Sequence, residues 1–452
     1  MGKISLCWIQ EPLKVPPTMN RRISTPLFLF LIAGLAFVLF RAPGVAAAQN
    51  AASTGYTAIE TRAVVDVERG TLLPGATILV RGNRIEAVGT DVDVPPSARR
   101  IDLSDKYVLP GLMDAHTHIT LTPGYAEHNP ILYKSVPYRT VEAVAAVRET
   151  LMAGFTTIRD LDSEGADWAD VAVRDAVNDG IVPGPRMQVA TLAISITGGY
   201  MNNDGLAPQI DVPQFGALAD SPAEIVRTLR RQVKYGADWI KLYATGTTKH
   251  IDLDNMAPLP QFTDEEIQLV VDEAARFGKP VAAHAYGGHA AHVAVEAGVR
   301  SIEHGMMLSS ETLDLMAERG TFWVPTINVY FPLDANAELT ERQVAITESH
   351  RRVFGEALRR GVRIAYGTDA GALPHGDNAI DFRRMVDYGM TPAQALRSAT
   401  LTAAELLGLD AELGTIDVGK LADIIAVDEN PLSDIDALWN VGFVMKDGVV
   451  QQ

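Results

Sequence analysis

The stretch Asp238–Gly246, "DWIKLYATG", reads as a buried strand with a lysine set in its middle. Trp239, Ile240, Leu242 and Tyr243 supply the apolar run around Lys241. A lysine ammonium is strongly hydrated and is almost never fully buried unless it is paired. Lys241 is therefore a snorkelling side chain, the partner of a local acid, or an amine that some chemistry requires.

The run is one of eight. Short apolar segments recur as "GLMDAHTH", "TTIRD", "RMQVATLAIS", "WIKLYA", "PVAAHAY", "SIEHG", "TFWVPT" and "RIAYGTD". Helical segments are expected between them, over 140–152, 221–235, 263–277, 289–297, 310–319 and 338–360. Several helices end in "AG", "YGAD" or "RG", where glycine suits a C-terminal cap. Eight strand–helix units over roughly 290 residues fit the α/β class and a (β/α)8 TIM barrel. A doubly wound open sheet is the alternative, weakened because no dinucleotide or P-loop glycine fingerprint sits at a suitable strand end.

The chain ends have a different texture. "AVVDVERGTLLPGATILVRGNRIEAVG" alternates short strands with turns, and so do "LGTIDVGKLADIIAVDENP" and "VGFVMKDGVVQ". Each piece is too short for a core of its own. A composite β-sandwich of 56–108 and 412–452 is expected beside a barrel of 109–411. Residues 1–48 read as an N-terminal extension and signal peptide. Arg21 and Arg22 precede the apolar run 27–40, and Ala46, Ala47 and Ala48 offer a cleavage site near Gln49. Met19 competes with Met1 as the start. A retained membrane anchor is the rival reading, although 14 apolar residues fall short of the ~20 a spanning helix needs. Export to the periplasm or medium would remove Cys7, the only cysteine, leaving neither disulfides nor thiolate ligands.

The composition is that of a globular protein, and the net charge of −17 argues against a nucleic-acid or anionic-membrane surface. A small-molecule partner is expected, with membrane contact only through an uncleaved signal or anchor. Homo-oligomerisation is left open.

Ionisable residues gather at the ends of the expected strands, the face that holds the active site in such barrels. His116 and His118, two apart, point to the same side of strand one and can converge on one metal. Lys241 ends strand four, His284 strand five, His304 strand six and Asp369 strand eight. Each has a plain structural reading: a core histidine, a helix-capping aspartate. Their conjunction favours a metal, and imidazoles with a carboxylate suit zinc where thiols are lacking.

With these residues in place the chain resembles the metal-dependent amidohydrolase superfamily, in its imidazolonepropionase-like and Xaa-Pro dipeptidase-like branch. The resemblance rests on "VLPGLMDAHTHIT", "AGFTTIRD", "GADWIKLYATG", "VAAHAYG", "AGVRSIEHG", "GTDAG" and "GTIDVGKLADIIAVD", in that order. It implies a barrel flanked by a β-sandwich from both chain ends. It also implies two divalent ions, one held by His116, His118 and Asp369 and one by His284 and His304. Lys241 matches the bridging lysine whose amine is carboxylated by carbon dioxide (N6-carboxylysine). Burial lowers a lysine pKa, and only the neutral amine accepts carbon dioxide. Hydroxide between the ions would attack an amide carbonyl, with Asp369 accepting its proton and returning it to the leaving nitrogen.

Substrate contacts are less determined. Tyr243 shares a strand face with Lys241 and can meet a substrate carboxylate or remain core; His289 is a weaker candidate, and His292 is expected on a helix surface. Many members of the family carry histidine where this chain has Tyr200 and Tyr286. The loop "GGYMNNDG" (198–205) is expected to be mobile over the mouth, and "VYFPLD" (329–334) to offer apolar walls. The leading expectation is a dinuclear-zinc hydrolase of dipeptides or N-acyl amino acids with a free carboxylate. Its rivals are a hydrolase of a cyclic amide, lactone or mycotoxin-type amide and, remotely, a non-catalytic binding protein. A basic residue positioned for a carboxylate would favour the first; an aromatic, charge-poor pocket would favour the second.

Overall fold

A computed structural model describes residues 55–202, 206–334 and 336–452. The eight expected segments form a closed ring of parallel strands: Leu112–Thr117, Phe155–Asp160, a broken third (Arg186–Val189 with Ile194–Ser195), Ile240–Tyr243, Val281–Gly287, Ser301–Met307, Phe322–Val324 and Arg363–Ile364. Each pairs in parallel with the next, from Leu112 on Phe155 to Trp323 on Ile364. The ring closes where Ala115 N donates to the Tyr366 carbonyl (2.9 Å) and Asp369 N to that of His116 (2.8 Å).

Strand parity decides what faces inward. Ile240, Leu242, Ala283 and Ala285 pack with the helix residues Ile225, Leu229, Ile267, Val270 and Ala291. A strand alternates faces every residue, so Trp239, Lys241, Tyr243 and His284 face the barrel interior. Both faces are covered, which is why these strands read as near-continuous apolar runs.

Most expected helices hold to within a few residues, and the differences have local causes. The helix expected over 140–152 begins at Val136, because Ser135 accepts a hydrogen bond from Tyr138 N and Pro137 suits the first turn. The one expected over 338–360 begins at Glu341, after a capping box of Thr340 and Gln343. The last strand is shorter than expected, so Asp369 lies beyond it. There the buried Asp114 carboxylate draws the chain aside, accepting from Thr368 N (3.1 Å), Thr368 Oγ1 (2.6 Å) and Asn378 Nδ2 (2.8 Å).

The two chain ends share one eight-stranded sheet. Its central strand, Arg99–Pro110, runs parallel to Tyr56–Asp66 on one side and antiparallel to Ile424–Val427 on the other. Ile59, Ile78 and Val108 pack with Ile424, Phe443 and Met445 in one cluster. Neither end seals this cluster alone. The expected signal peptide lies outside the described residues. Among those described, no helix is long and apolar enough to cross a membrane.

Candidate metal centre and active site

Four imidazoles, a carboxylate and a lysine meet at the C-terminal end of the ring. His116, His118, Lys241, His284, His304 and Asp369 all line one cavity of about 20 Å3, with Leu121, Tyr125, Glu164, Tyr200, Met201 and Tyr243 among its other walls. The rings form a chain: His118 lies 5.3 Å from His116, His116 5.0 Å from His304, and His304 4.5 Å from His284, between centroids. Ligand atoms of His116, His118 and Asp369 all lie within 4.8 Å of one another, as one metal ion would require. Asp369 Oδ1 is 3.1 Å from His118 Nε2 and 3.7 Å from His116 Nε2.

The backbone is held in unusual conformations here. His304 (φ 72°), Asp369 (φ 66°) and Glu164 (φ 50°) adopt left-handed geometry that non-glycine residues rarely accept. Such strain gathers at functional sites, where surrounding structure fixes it in place. Gly367 answers a different need: a Cβ there would lie 2.4 Å from Val324 Cγ1 and 2.9 Å from His116 Cβ. Only glycine lets the chain just before Asp369 approach the strand of His116 so closely.

Three of the four histidines are oriented through Nδ1. His116 Nδ1 meets Glu303 Oε2 at 2.8 Å, His304 Nδ1 meets Thr326 Oγ1 at 2.8 Å, and His118 Nδ1 lies 3.2 Å from the Asp162 carbonyl. Outer partners of this kind set the tautomer and leave Nε2 free for a metal. Glu303 is itself anchored by Arg159 (2.9 Å) and by the Ser301 hydroxyl, all fully buried. Arg159 donates further to the Ala115 carbonyl (2.6 Å) and lies over the Trp239 ring.

The donor set fits a cation. Among the described residues, His116 Nε2 and both nitrogens of His284 are buried without a hydrogen-bond partner. Buried polar atoms seldom remain so without a reason. Lys241 is 1% exposed, and among the described residues no carboxylate reaches its amine within 4.0 Å.

Burial pushes His116, His284 and His304 well below the usual histidine range, the neutral state a metal ligand needs. Burial also lowers Lys241. His118 behaves differently. Burial opposes its charge, but Glu164 and Asp369 outweigh burial and raise its pKa to about 10. Asp369 is correspondingly held down at about 2, the imidazoles of His116 and His118 overcoming the effect of burial. A metal at His118 must displace this proton. Below pH ~10 the metal-free protein holds it, so apparent affinity is expected to fall about tenfold per unit as pH drops, from this group alone. Calorimetric zinc titrations in buffers of different ionisation enthalpy would detect the released proton; uptake with no proton release would refute this account.

The remaining expected residues divide. Tyr243 faces the cavity, but its hydroxyl donates to Asp162 Oδ2 at 2.8 Å, an engagement the sequence did not foretell. His289 is not a cavity wall. It lies in the first turn of the helix Gly288–Ala297, after the fifth strand, and stands largely exposed, 2.9 Å from Asp264. The turn at Gly287 and Gly288 carries it outward, which corrects its expected role in substrate binding. His292 is partly buried against Thr312, 3.2 Å away. Tyr200 lies tilted 4.4 Å from His284, and Tyr286 4.5 Å from it, between centroids, so both tyrosines lie against the imidazole chain. In the loop expected over the mouth, residues 203–205 lie outside the described set.

Glu164, Glu303, Arg159 and Thr326 were not foreseen. For Glu303 a signal was available, since it is an acid inside a mostly apolar strand; Arg159, beside Asp160 in a threonine-rich strand, gave none. A larger hollow of about 570 Å3, walled by Val281, Arg300 and Thr321 among others, opens at the opposite, N-terminal ends of the strands. It lacks the converging imidazoles, and the volume difference does not outweigh chemistry that belongs to the C-terminal face.

A (β/α)8 barrel with a histidine–carboxylate cluster at this face defines a metal-dependent hydrolase class. Comparison with known proteins agrees: residues 107–450 match the amidohydrolase family model, and the chain belongs to that family. It is 30% identical over 405 residues to ochratoxinase of Aspergillus niger, covering 82% of each chain. It is 26% identical over 418 residues to imidazolonepropionase of Symbiobacterium thermophilum, covering 84% of this chain and 88% of that one. A solved Xaa-Pro dipeptidase with methionine in its active site superposes with a TM-score of 0.80 at 34% identity, over 88% of this chain and all of the other.

Proposed function

We propose that this amidohydrolase cleaves the amide bond of small dipeptides or related amino-acid amides, using a pair of divalent metal ions, with zinc the natural candidate. The observation that carries the reading is the convergence of His116, His118, Lys241, His284, His304 and Asp369 on one cavity. His116, His118 and Asp369 would hold one ion, His284 and His304 the other, with Lys241 between them. Bound there, such ions supply Lewis acidity, which polarises a carbonyl and lowers the pKa of water.

The chain's own groups do the rest. Asp369, next to His118 Nε2, is placed to take a proton from the attacking water and pass it to the departing nitrogen. Glu303 and Thr326 keep His116 and His304 from rotating, so the donors stay in place during turnover. Burial lowers the Lys241 pKa and so favours the neutral amine, whose nitrogen can bond to the carbon of carbon dioxide and release a proton, giving an anionic carbamate with two oxygens. The aromatic walls Tyr125, Tyr200 and Tyr243 exclude water and offer apolar surface to a side chain.

One observation favours a second reading. Lys241 is the only basic side chain besides the histidines among the described walls, so no arginine is positioned for a substrate carboxylate. The aromatic walls Tyr125, Tyr200 and Tyr243 suit a cyclic, lactone or xenobiotic amide, and ochratoxinase is among the similar proteins. The test is metal analysis with hydrolysis of a panel of Xaa-Pro and other dipeptides, N-acyl amino acids, aromatic amides and lactones. Close to two metal ions per chain and a preference for dipeptides are expected. Turnover confined to lactones or aromatic amides would establish the second reading, and a metal-loaded chain inert on all of them would remove the first. Export through the signal-like segment before Gln49 belongs to the same proposal; the N-terminus of the protein recovered from its producing cells reads it directly.

A further inference from the structure

Glu164 is a wall of the cavity that the chemistry above does not use. It is 2% exposed. Its Oε1 lies 3.3 Å from His118 Nδ1. Its Oε2 is buried and, among the described residues, has no hydrogen-bond partner. A carboxylate oxygen left so costs the protein its desolvation, more than for a neutral group. His118 answers Oε1 alone, and the next cation does not relieve Oε2. Arg139 directs its donors to main-chain carbonyls, those of Thr120 (3.1 Å) and of Glu164 itself (2.7 Å), not to the carboxylate.

The residue is nonetheless held firmly. Its backbone is left-handed, its N–H donates to Asp162 Oδ1 at 2.9 Å, and its carbonyl takes the Arg139 bond. The carboxylate is thus fixed at the cavity wall beside the metal ligands, one oxygen committed and one not. The neighbouring walls are the rings of Tyr125 and Tyr200, and aromatic faces attract cations as well as apolar groups. A protonated amine brings both the charge and the hydrogen-bond donors that such a wall lacks.

We propose that Glu164 is a specificity-determining residue that receives the free amino group of the substrate, so that the preferred substrates are aminoacyl amides and dipeptides with an unblocked N-terminus. The inference rests on the hydrolase reading above and narrows it: acylated amino acids become poor substrates. It also accounts for the lack of an arginine, because the substrate is anchored by its amine.

The test uses the metal-loaded full chain and a matched substrate pair, L-phenylalanyl-L-alanine and 3-phenylpropanoyl-L-alanine, which differ only in the amino group. The wild-type protein is expected to favour the amine-bearing substrate in kcat/KM by at least about 30-fold, as expected for a charge-assisted hydrogen bond. In Glu164→Gln the amide oxygen can still accept from His118, and the ratio should fall to about one, mostly through KM. Calorimetric binding of L-phenylalaninol against 3-phenyl-1-propanol reads the same preference without any amide to cleave. A wild-type ratio near one, or a ratio that survives in Glu164→Gln, overturns the proposal. If Glu164→Gln loses its metal, the wild-type ratio and binding comparison still decide. Amine-dependent binding without hydrolysis of either peptide would overturn the hydrolase reading and leave the amine site standing.

Discussion

Lys241→Ala is expected to lower turnover by at least about 10^3-fold and to take bound metal with it, from close to two ions per chain to one or fewer. Several kcal/mol of transition-state stabilisation come from a two-metal site, and about 4 kcal/mol corresponds to this factor. The cause is local. Lys241 lies on an interior strand face, next in the sheet to the strand of His284, with no ion-pair partner among the described residues. A buried, unpaired ammonium would destabilise the barrel, whereas a neutral amine or its carbamate would not. In the proposed two-metal reading, alanine removes the side chain whose carbamate would lie between the two ions. Metal analysis beside kcat on the best substrate checks this; an alanine variant with full metal and full activity would sink the bridging role.

Arg159→Ala should be the most destabilising substitution near the site. The Arg159–Glu303 pair is fully buried, and removing one partner of such a pair costs about 3–5 kcal/mol because the other charge is left uncompensated. Two effects should separate. Denaturant unfolding of metal-free protein reports the stability loss. Metal affinity should fall a further 10- to 100-fold, because Glu303, no longer anchored, stops fixing the tautomer of His116. The double variant Arg159→Met with Glu303→Leu should recover much of the stability, since an apolar replacement of a buried pair is often tolerated. Its metal affinity should stay low. If stability and affinity return together, Glu303 has no orienting role.

Much of the architecture was legible because parallel, doubly covered strands announce themselves as apolar runs between glycine-ended helices. The "HTH" of His116 and His118 was legible for the same kind of reason: spacing two on a strand has one geometric meaning. Asp369 was found as a residue but misplaced on a strand: its backbone is left-handed, and the preceding Thr368 is held by Asp114, some 250 residues away in sequence. Glu164 gave no periodic signal at all. It sits in a loop after the second strand, and only the folded chain brings it against His118. His289 failed in the opposite direction: its neighbourhood in sequence was right, and two glycines turned it out of the mouth.

The sheet built from both chain ends has a consequence for the protein's early life. Its central strand finishes at Pro110, yet the neighbour on its far side begins at Ile424. Ribosomes add ~5–20 residues per second, so this edge waits roughly 15–60 s for its partner. Contacts so distant along a chain also form slowly. Throughout that interval the apolar end of this strand, Tyr107–Pro110, lacks its partner, and the sheet of the newborn chain stays incomplete, within reach of chaperones. That is the condition a polypeptide must keep if it is to be threaded through a translocation pore before it closes.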